Sequence, residues 1–280
     1  MPIMFNTILR EAGLPLTDVR LIRHKDSEAS RGRSLYELWR DNRPQFERYQ
    51  SFQSIKDRKK LTTSYWAVFV VNLNEETMFA GVYAVRYRGL LEHDTPKPHM
   101  DGIDTAGSCD VYDLTLQNTL CDLIGKLFIN WGSAALVWMQ YANRQDKSVT
   151  ELRVAFQEPG FPGFLNFIQP LSKLSNVPKS WIAALRSSRG VYLLTCPKTK
   201  EQYVGSATSE AGFWGRWQNY LQTGHGGNVG LKNRDPSDYQ VSILEVAGTS
   251  STADDILKME GRWQSKLQSR EMGLNRNWAG

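Results

Sequence analysis

Two strand-like runs near the C-terminus are separated by one four-residue turn, and this spacing constrains the fold more than any other feature of the chain. Gly190 to Cys196 (GVYLLTC) is apolar and β-prone, Pro197-Lys198-Thr199-Lys200 turns, and Glu201 to Gly205 (EQYVG) pairs back, which predicts an antiparallel hairpin. Each strand carries a tyrosine beside a glycine, in Gly190-Val191-Tyr192 and Tyr203-Val204-Gly205. Glycine inside a strand marks a place where another group comes close to the backbone.

The residues after the hairpin add chemistry. A helix is expected over about Phe213 to Leu221, with Arg216 and Tyr220 four residues apart on one face. A glycine loop comes next at Gly224–Asn228, then a strand over Tyr239 to Val246. Ser251 or Thr252 caps a helix that carries Asp254 and Asp255 in its first turn and runs to about Gln268. Gly273-Leu274-Asn275 closes the segment. Glu260 falls in the pattern Leu257, Glu260, Trp263, Leu267, the apolar face of its helix. A carboxylate turned inward is costly unless it is paired with an arginine or bound to a cation, and hard oxygen ligation completed by water suits Mg²⁺. Arg216 is a fork for phosphate oxygens or one half of a surface ion pair. Tyr192 and Tyr203 are core aromatics or, beside a cation, phenols able to take a proton.

In this order (GVY, YVG, arginine with tyrosine four later, glutamate on a helix, asparagine after Gly-Leu), the segment from 188 to about 277 resembles the GIY-YIG nuclease family, with valine for isoleucine in both triplets. The resemblance implies a small α/β domain with a short antiparallel sheet that cleaves DNA with one metal ion, Mg²⁺, for which Mn²⁺ can substitute. It implies that Tyr192 is the base or positions the water, and that Tyr203 assists it or binds phosphate. Arg216 and Tyr220 would clamp the phosphate, Glu260 would hold the metal, and Asn275, with Asn277 as competitor, would brace the site. His225 is a proton carrier on this reading and part of a flexible loop on the other.

At 280 residues the chain suggests two domains, divided here as 1–175 and 176–280 with a linker at Leu171–Pro178 and a helix opened by Pro178. The whole is read as α+β, a β-rich, barrel-like domain followed by the small α/β one. The first domain begins with a helix over 4–12 and a strand over Asp18–His24. A helical stretch over 34–50 is broken at Pro44. Tyr65–Leu73 and Met78–Tyr87 form a hairpin, Gly89–Gly107 is a loop, and further strands fall at Asp110–Leu116, Leu123–Trp131, Leu136–Tyr141 and after Phe161. The tract Tyr65–Phe69 with Phe79–Tyr83 resembles PUA-like barrels, some of which flip and read modified bases. Trp66, Tyr83, Tyr87, Trp131, Trp138 and Tyr141 would line such a slot or fill a β core.

The net charge of +5 hints at a polyanion partner, and its distribution sharpens the hint. Residues 1–60 hold 13 Lys/Arg against 8 Asp/Glu and residues 176–280 hold 13 against 9, while the middle is acidic. Arg20, Arg23, His24, Lys25, Arg31 and Arg33 form a run that grips backbone phosphates or lines a solvated loop; Lys198 and Lys232 are the candidate contacts of the second domain. Three cysteines in no CxxC pair read as inert buried thiols, and four scattered histidines exclude a zinc site. No apolar run spans a membrane and the first residues lack a signal-peptide core, so a cytoplasmic protein is expected.

The expected activity is endonucleolytic, on double-stranded DNA. A restriction or phage-defence enzyme is favoured, with dependence on a base modification as one form. A repair or recombination nuclease, a non-cutting nucleic-acid-binding regulator and a nuclease for RNA or single strands are the alternatives. One centre cuts one strand, so a homodimer or two visits would break both.

Overall fold

The structure, a computed structural model, describes residues 2–26, 34–132, 137–223 and 239–275, without the side chain of Ser175. Arg31, Arg33, His225, Lys232, Asn277 and the Gly224–Asn228 loop lie outside the described residues. The chain divides into two units, Met1–Pro159 and Gly160–Gly280.

The first unit is built on Tyr65–Val71, a β-branched and aromatic strand whose residues after Tyr65 are all buried. Burial on both faces explains its continuous apolar composition. It pairs antiparallel with Thr77–Leu90, the expected hairpin, and parallel with Val19–His24. A parallel neighbour needs a crossover, and the intervening chain supplies helices Leu35–Asp41 and Arg43–Ser51. These are one expected helical stretch broken at Asn42, whose side chain accepts from the Gln45 amide while Pro44 occupies the first turn of the second helix. The curled sheet runs Val149–Leu152, Leu127–Ile129, Thr77–Leu90, Tyr65–Val71, Val19–His24, Met139–Tyr141. Asp110–Leu116 and Phe52–Gln53 extend it beside Thr77–Leu90.

The alternation of side chains gives this sheet two cores. Trp66, Val68 and Val70 pack with Tyr36, Trp39 and Phe46, whereas Ala67 and Phe69 pack with Phe5 and Leu9 of helix Phe5–Glu11. The expected strand at Leu123–Trp131 shrinks to Leu127–Ile129, because Cys121–Leu123 turns and Gly125 takes a positive φ of 74°. The strand at Leu136–Tyr141 shortens to Met139–Tyr141, and the Gly89–Gly107 loop holds a small pair, Thr95–Pro96 with Ile103–Asp104. Of the three thiols only Cys196 is buried; Cys121 is exposed on its turn.

The second unit is a four-stranded antiparallel sheet, Ile168–Pro170, Gln240–Val246, Gly190–Thr195, Gln202–Ala207. Its first strand corrects the expected boundary at 175/176. Ile168–Pro170 pairs with Gln240–Ser242, Phe167 stacks on Trp217 at 5.4 Å, and the expected linker is a 3₁₀ turn, Leu171–Asn176, with Leu174 wholly buried. The strand expected after Phe161 therefore belongs to this sheet and not to the first domain, and the division falls at Pro159/Gly160 instead. Helix Gly212–Thr223 covers the sheet face that carries Tyr192, with Phe213, Trp217 and Tyr220 buried. Helix Ala253–Leu267, started by a Thr252–Asp255 capping box, packs Met259, Trp263 and Leu267 on Val191 and Val204 of the other face.

Candidate active site

The two tyrosine triplets meet as the hairpin requires, with Tyr192 opposite Gly205 across the strand pair. A Cβ added to Gly205 would stand 2.5 Å from the Tyr192 hydroxyl, 2.6 Å from Cζ and 2.7 Å from Cε1 of Tyr203. Both phenol rings therefore lean over the space that a side chain at 205 would fill. Gly190 serves a backbone need: its φ is +152°, and a Cβ there would collide with the Glu245 carbonyl of the neighbouring strand.

Tyr192 is completely buried, and its hydroxyl is the hub of a polar cluster. Arg216 donates Nε–H to it at 3.1 Å, and the Tyr220 hydroxyl lies 3.1 Å away, with either oxygen able to donate. The four-residue spacing of Arg216 and Tyr220 brings both to the same phenol, and Arg216 Cζ sits 5.2 Å from the Tyr220 ring centre. Burial pushes the Tyr192 phenol well above its ordinary range, with the Arg216 charge pulling the other way. Tyr220 is raised by burial too, and by its phenol neighbours. Tyr203 is buried, and its ring leans over Gly205 beside that of Tyr192. Four of the expected residues thus form one constellation.

Glu260 stands on the other side of the Gln202–Ala207 strand. Ser206 donates its hydroxyl to Oε2 in a short hydrogen bond, and Gln264 donates Nε2 to Oε1 at 2.7 Å. Arg270 holds Gln264 in turn, Nε to Oε1 at 2.8 Å. Among the described residues no lysine or arginine forms an ion pair with Glu260. Burial raises its carboxyl above the ordinary range, while the Ser206 hydrogen bond and the Arg216 and Arg270 charges lower it. Arg216 is thus felt from both sides of the strand. The expected face needs one correction. Leu257 is 53% exposed, and the buried residues are Ile256, Met259 and Gln264, so Glu260 sits at the edge of the apolar stripe rather than in its centre. That position suits a carboxylate better than full burial would.

Among the described residues Asn275 hydrogen-bonds no candidate reactive group. Its Oδ1 accepts from the Val204 amide and its Nδ2 donates to the Val204 carbonyl, both at 2.7 Å, so it replaces a missing strand neighbour between Tyr203 and Gly205. The sequence reading missed Ser206, Gln264 and Arg270. Gln264 could have been found by its four-residue spacing from Glu260; Ser206, 54 residues from its carboxylate partner, could not.

The basic candidates divide. Arg20 is 2% exposed and lies flat on Tyr141, its Cζ 3.2 Å from the ring centre, so it does not reach a backbone phosphate as expected. It belongs to a strand buried along its whole length. Arg23 is also buried, 5.0 Å over the Trp131 ring, while Lys25 pairs with Glu75 at the surface and Lys198 is exposed on the hairpin turn. Trp66, Tyr83 and Trp131 are core residues, and Tyr87 is exposed.

No protein-family model matches the chain, and no curated protein matches it. Two solved structures do, both of the catalytic domain of the intron homing endonuclease I-TevI. One is 27% identical and covers 32% of this chain and 98% of that chain, with a TM-score of 0.27. The other, a point mutant, is 25% identical and covers 33% and 97%, with the same TM-score of 0.27. At that TM-score the likeness adds nothing to the site, which stands on its own side chains. Among the described residues no helix is long and apolar enough to cross a membrane.

Proposed function

We propose that the second unit is a GIY-YIG-type nuclease centre and that the chain is a metal-dependent DNA endonuclease. The observation that carries this reading is the convergence of Tyr192, Tyr203, Arg216 and Tyr220 on one face of the Gln202–Ala207 strand, with Glu260, a carboxylate that forms no ion pair among the described residues, held on its other face under the influence of the Arg216 charge.

A divalent cation fits Glu260 by the chemistry of its surroundings. The carboxylate is hydrogen-bonded, so its oxygens are fixed, and burial leaves its charge under-compensated. Among the described residues no group of three His, Cys, Asp or Glu gathers into a metal cluster. One carboxylate with water in the other positions is an arrangement Mg²⁺ accepts, and Mn²⁺ follows it. When bound, the cation supplies positive charge against the phosphate and the departing oxygen.

The protein groups do the rest. Arg216 and Tyr220 hold the scissile phosphate, the guanidinium by charge-assisted hydrogen bonds. A water attacks phosphorus opposite the leaving oxygen, its proton passes to the Tyr192 phenolate, and the bond to the 3′ oxygen breaks, that oxygen leaving with the bonding pair and taking a proton from solvent to give a 3′ hydroxyl and a 5′ phosphate. Tyr203 crowds the same space and aligns the water or a phosphate oxygen. Asn275 keeps the strand between the two phenols in register. One such centre cuts one strand, so a double-strand break requires a second copy or a second visit.

A restriction or defence role is supported by a separate first unit large enough to select a target. The test is incubation of purified chain with plasmid, unmodified and base-modified phage DNA, and RNA, with and without Mg²⁺. Mg²⁺-dependent cutting of DNA, absent from Glu260→Gln and Tyr192→Phe, supports the nuclease. Cutting restricted to modified genomes supports defence. Binding without cutting under every condition overturns the catalytic reading in favour of a regulator.

A further inference from the structure

The first unit holds a cavity of about 310 Å³ that the nuclease chemistry does not use. Its apolar walls are rings: Tyr49 near the end of helix Arg43–Ser51, Phe52 just after it, and Trp138. The backbone ties these walls together, since Arg23 N–H donates to the Trp138 carbonyl at 2.7 Å. Two neutral polar groups also line it. Gln53 is anchored through Nε2 to the Gln50 carbonyl at 2.7 Å, which leaves its carboxamide oxygen and second N–H for other partners. His24 is wedged edge-on between Phe46 and Tyr49, both ring centres at 5.4 Å, and its buried Nε2 has no hydrogen-bond partner among the described residues. Burial lowers this imidazole to about 4, outweighing the nearby Gln50 amide, so it is uncharged at neutral pH. Arg23 and Lys25 complete the lining.

We propose that this cavity takes one nucleobase swung out of a DNA strand. Flat rings suit a planar heterocycle. A fixed carboxamide and a neutral imidazole, each with both donor and acceptor character, suit the polar edge of a base rather than a net charge. Lys25, paired with Glu75 at the surface, stands at the rim of the lining, where a flanking phosphate would compete with that carboxylate for it. The volume lies at the lower end of small-molecule clefts, enough for one base and part of its sugar and too little for a length of strand. A buried polar atom without a partner costs free energy, and a base edge hydrogen-bonded to His24 Nε2 would remove that cost. This inference rests on the DNA-cutting reading for its choice of polymer, but it is testable without any cutting.

The test uses the full chain carrying Glu260→Gln, in buffer free of divalent cations, so the result does not depend on catalysis. Titration calorimetry with the deoxynucleoside monophosphates, including 5-methyl and 5-hydroxymethyl dCMP, is compared with deoxyribose 5-phosphate and with an acidic peptide. At least one nucleotide is expected to bind, with the base-free sugar phosphate bound at least tenfold more weakly. Adding Trp138→Ala or Phe52→Ala should weaken that binding about 5- to 100-fold with the melting temperature little changed. A second readout is the fluorescence of 2-aminopurine placed at a mismatch in duplex DNA, which should change on binding the Glu260→Gln chain and not on binding its Trp138→Ala derivative. Equal binding of sugar phosphate and nucleotides, binding of the peptide alone, or no nucleotide binding together with no 2-aminopurine response, each overturns the proposal. Should the nucleotide bind while the unsubstituted chain cuts nothing, the base site stands and the nuclease reading falls.

Discussion

Gly205→Ala is the sharpest probe of the site, because opposing effects can be weighed from the structure. Alanine is ordinarily the better residue. It restricts the unfolded chain and is worth about 0.4–1 kcal/mol where the native backbone tolerates it, and the φ of Gly205 is not positive. Against this, the new methyl would sit 2.5 Å and 2.6 Å from Tyr192 and 2.7 Å from Tyr203, each about 1 Å inside normal contact. Overpacking a buried site of this kind costs about 1–3 kcal/mol. If the Tyr192 ring retreats by about 1 Å, its hydroxyl leaves both Arg216 and Tyr220, now at 3.1 Å, and each lost hydrogen bond costs about 1 kcal/mol. The clash outweighs the backbone gain, for a net loss of about 2–4 kcal/mol. At about 4 °C per kcal/mol for a unit of this size, the melting temperature should fall by about 8–16 °C. A displacement of about 1 Å in a catalytic group costs about 100-fold in rate. Calorimetry and a single-turnover DNA-cutting assay measure both quantities. Combining Gly205→Ala with Tyr192→Phe removes the nearest atom but leaves Cζ, so stability should return only in part. A variant that melts within about 1 °C of the parent and cuts within about twofold of it would refute this account of why glycine stands opposite Tyr192.

Other perturbations separate the roles of the remaining groups. Tyr192→Phe should abolish cutting while DNA binding measured by anisotropy stays within a few fold, and it should lower stability by about 1–3 kcal/mol because the Arg216 N–H loses its buried acceptor. Since burial raises the Tyr192 phenol, its basic form is scarce at neutral pH, so the single-turnover rate should climb about tenfold per pH unit between about pH 6 and 9; a flat profile there would exclude this phenol as the base. The Glu260 carboxyl is also raised, so the metal-free protein is expected to lose stability as pH rises above the ordinary carboxylate value of about 4.3 and through the raised one. Glu260→Gln should remove that dependence, melt no lower than the parent at neutral pH without metal, and lose the stabilisation that millimolar Mg²⁺ gives the parent. Asn275→Ala strips both partners from Val204 and should cost about 2–4 kcal/mol, whereas Asn275→Asp keeps the acceptor and should cost less; equal melting temperatures for the two would show that the double hydrogen bond is not what holds the strand.

The residues explain which parts of this arrangement were legible in sequence. The hairpin, the Arg216–Tyr220 pair and the Thr252 cap depend on spacings of four residues or fewer, and local geometry fixes them whatever the rest of the chain does. Asn275 to Val204 and Ser206 to Glu260 are contacts between residues 71 and 54 positions apart, and nothing local announces them. Arg20 misled because a charged residue in a basic run suggests a surface, while its neighbours Val19, Leu21 and Ile22 commit the strand to the interior, where its guanidinium stacks on Tyr141. Leu257 misled in the opposite sense, an apolar residue on the outer side of its helix that drew the inferred stripe one step away from Ile256. That displacement matters for chemistry. Tyr192 and Glu260 belong to opposite faces of the sheet, and in a central strand the backbone would keep them apart. Gln202–Ala207, however, lies at the end of the sheet order, and its outer edge is bonded by Leu274 and Asn275 rather than by a further strand. Ser206 takes Glu260 from one face, Tyr203 and Gly205 accommodate Tyr192 from the other, and the Arg216 charge acts on both. In the proposed centre, an edge strand held in register by Asn275 instead of another strand would let one site draw on two layers of the fold.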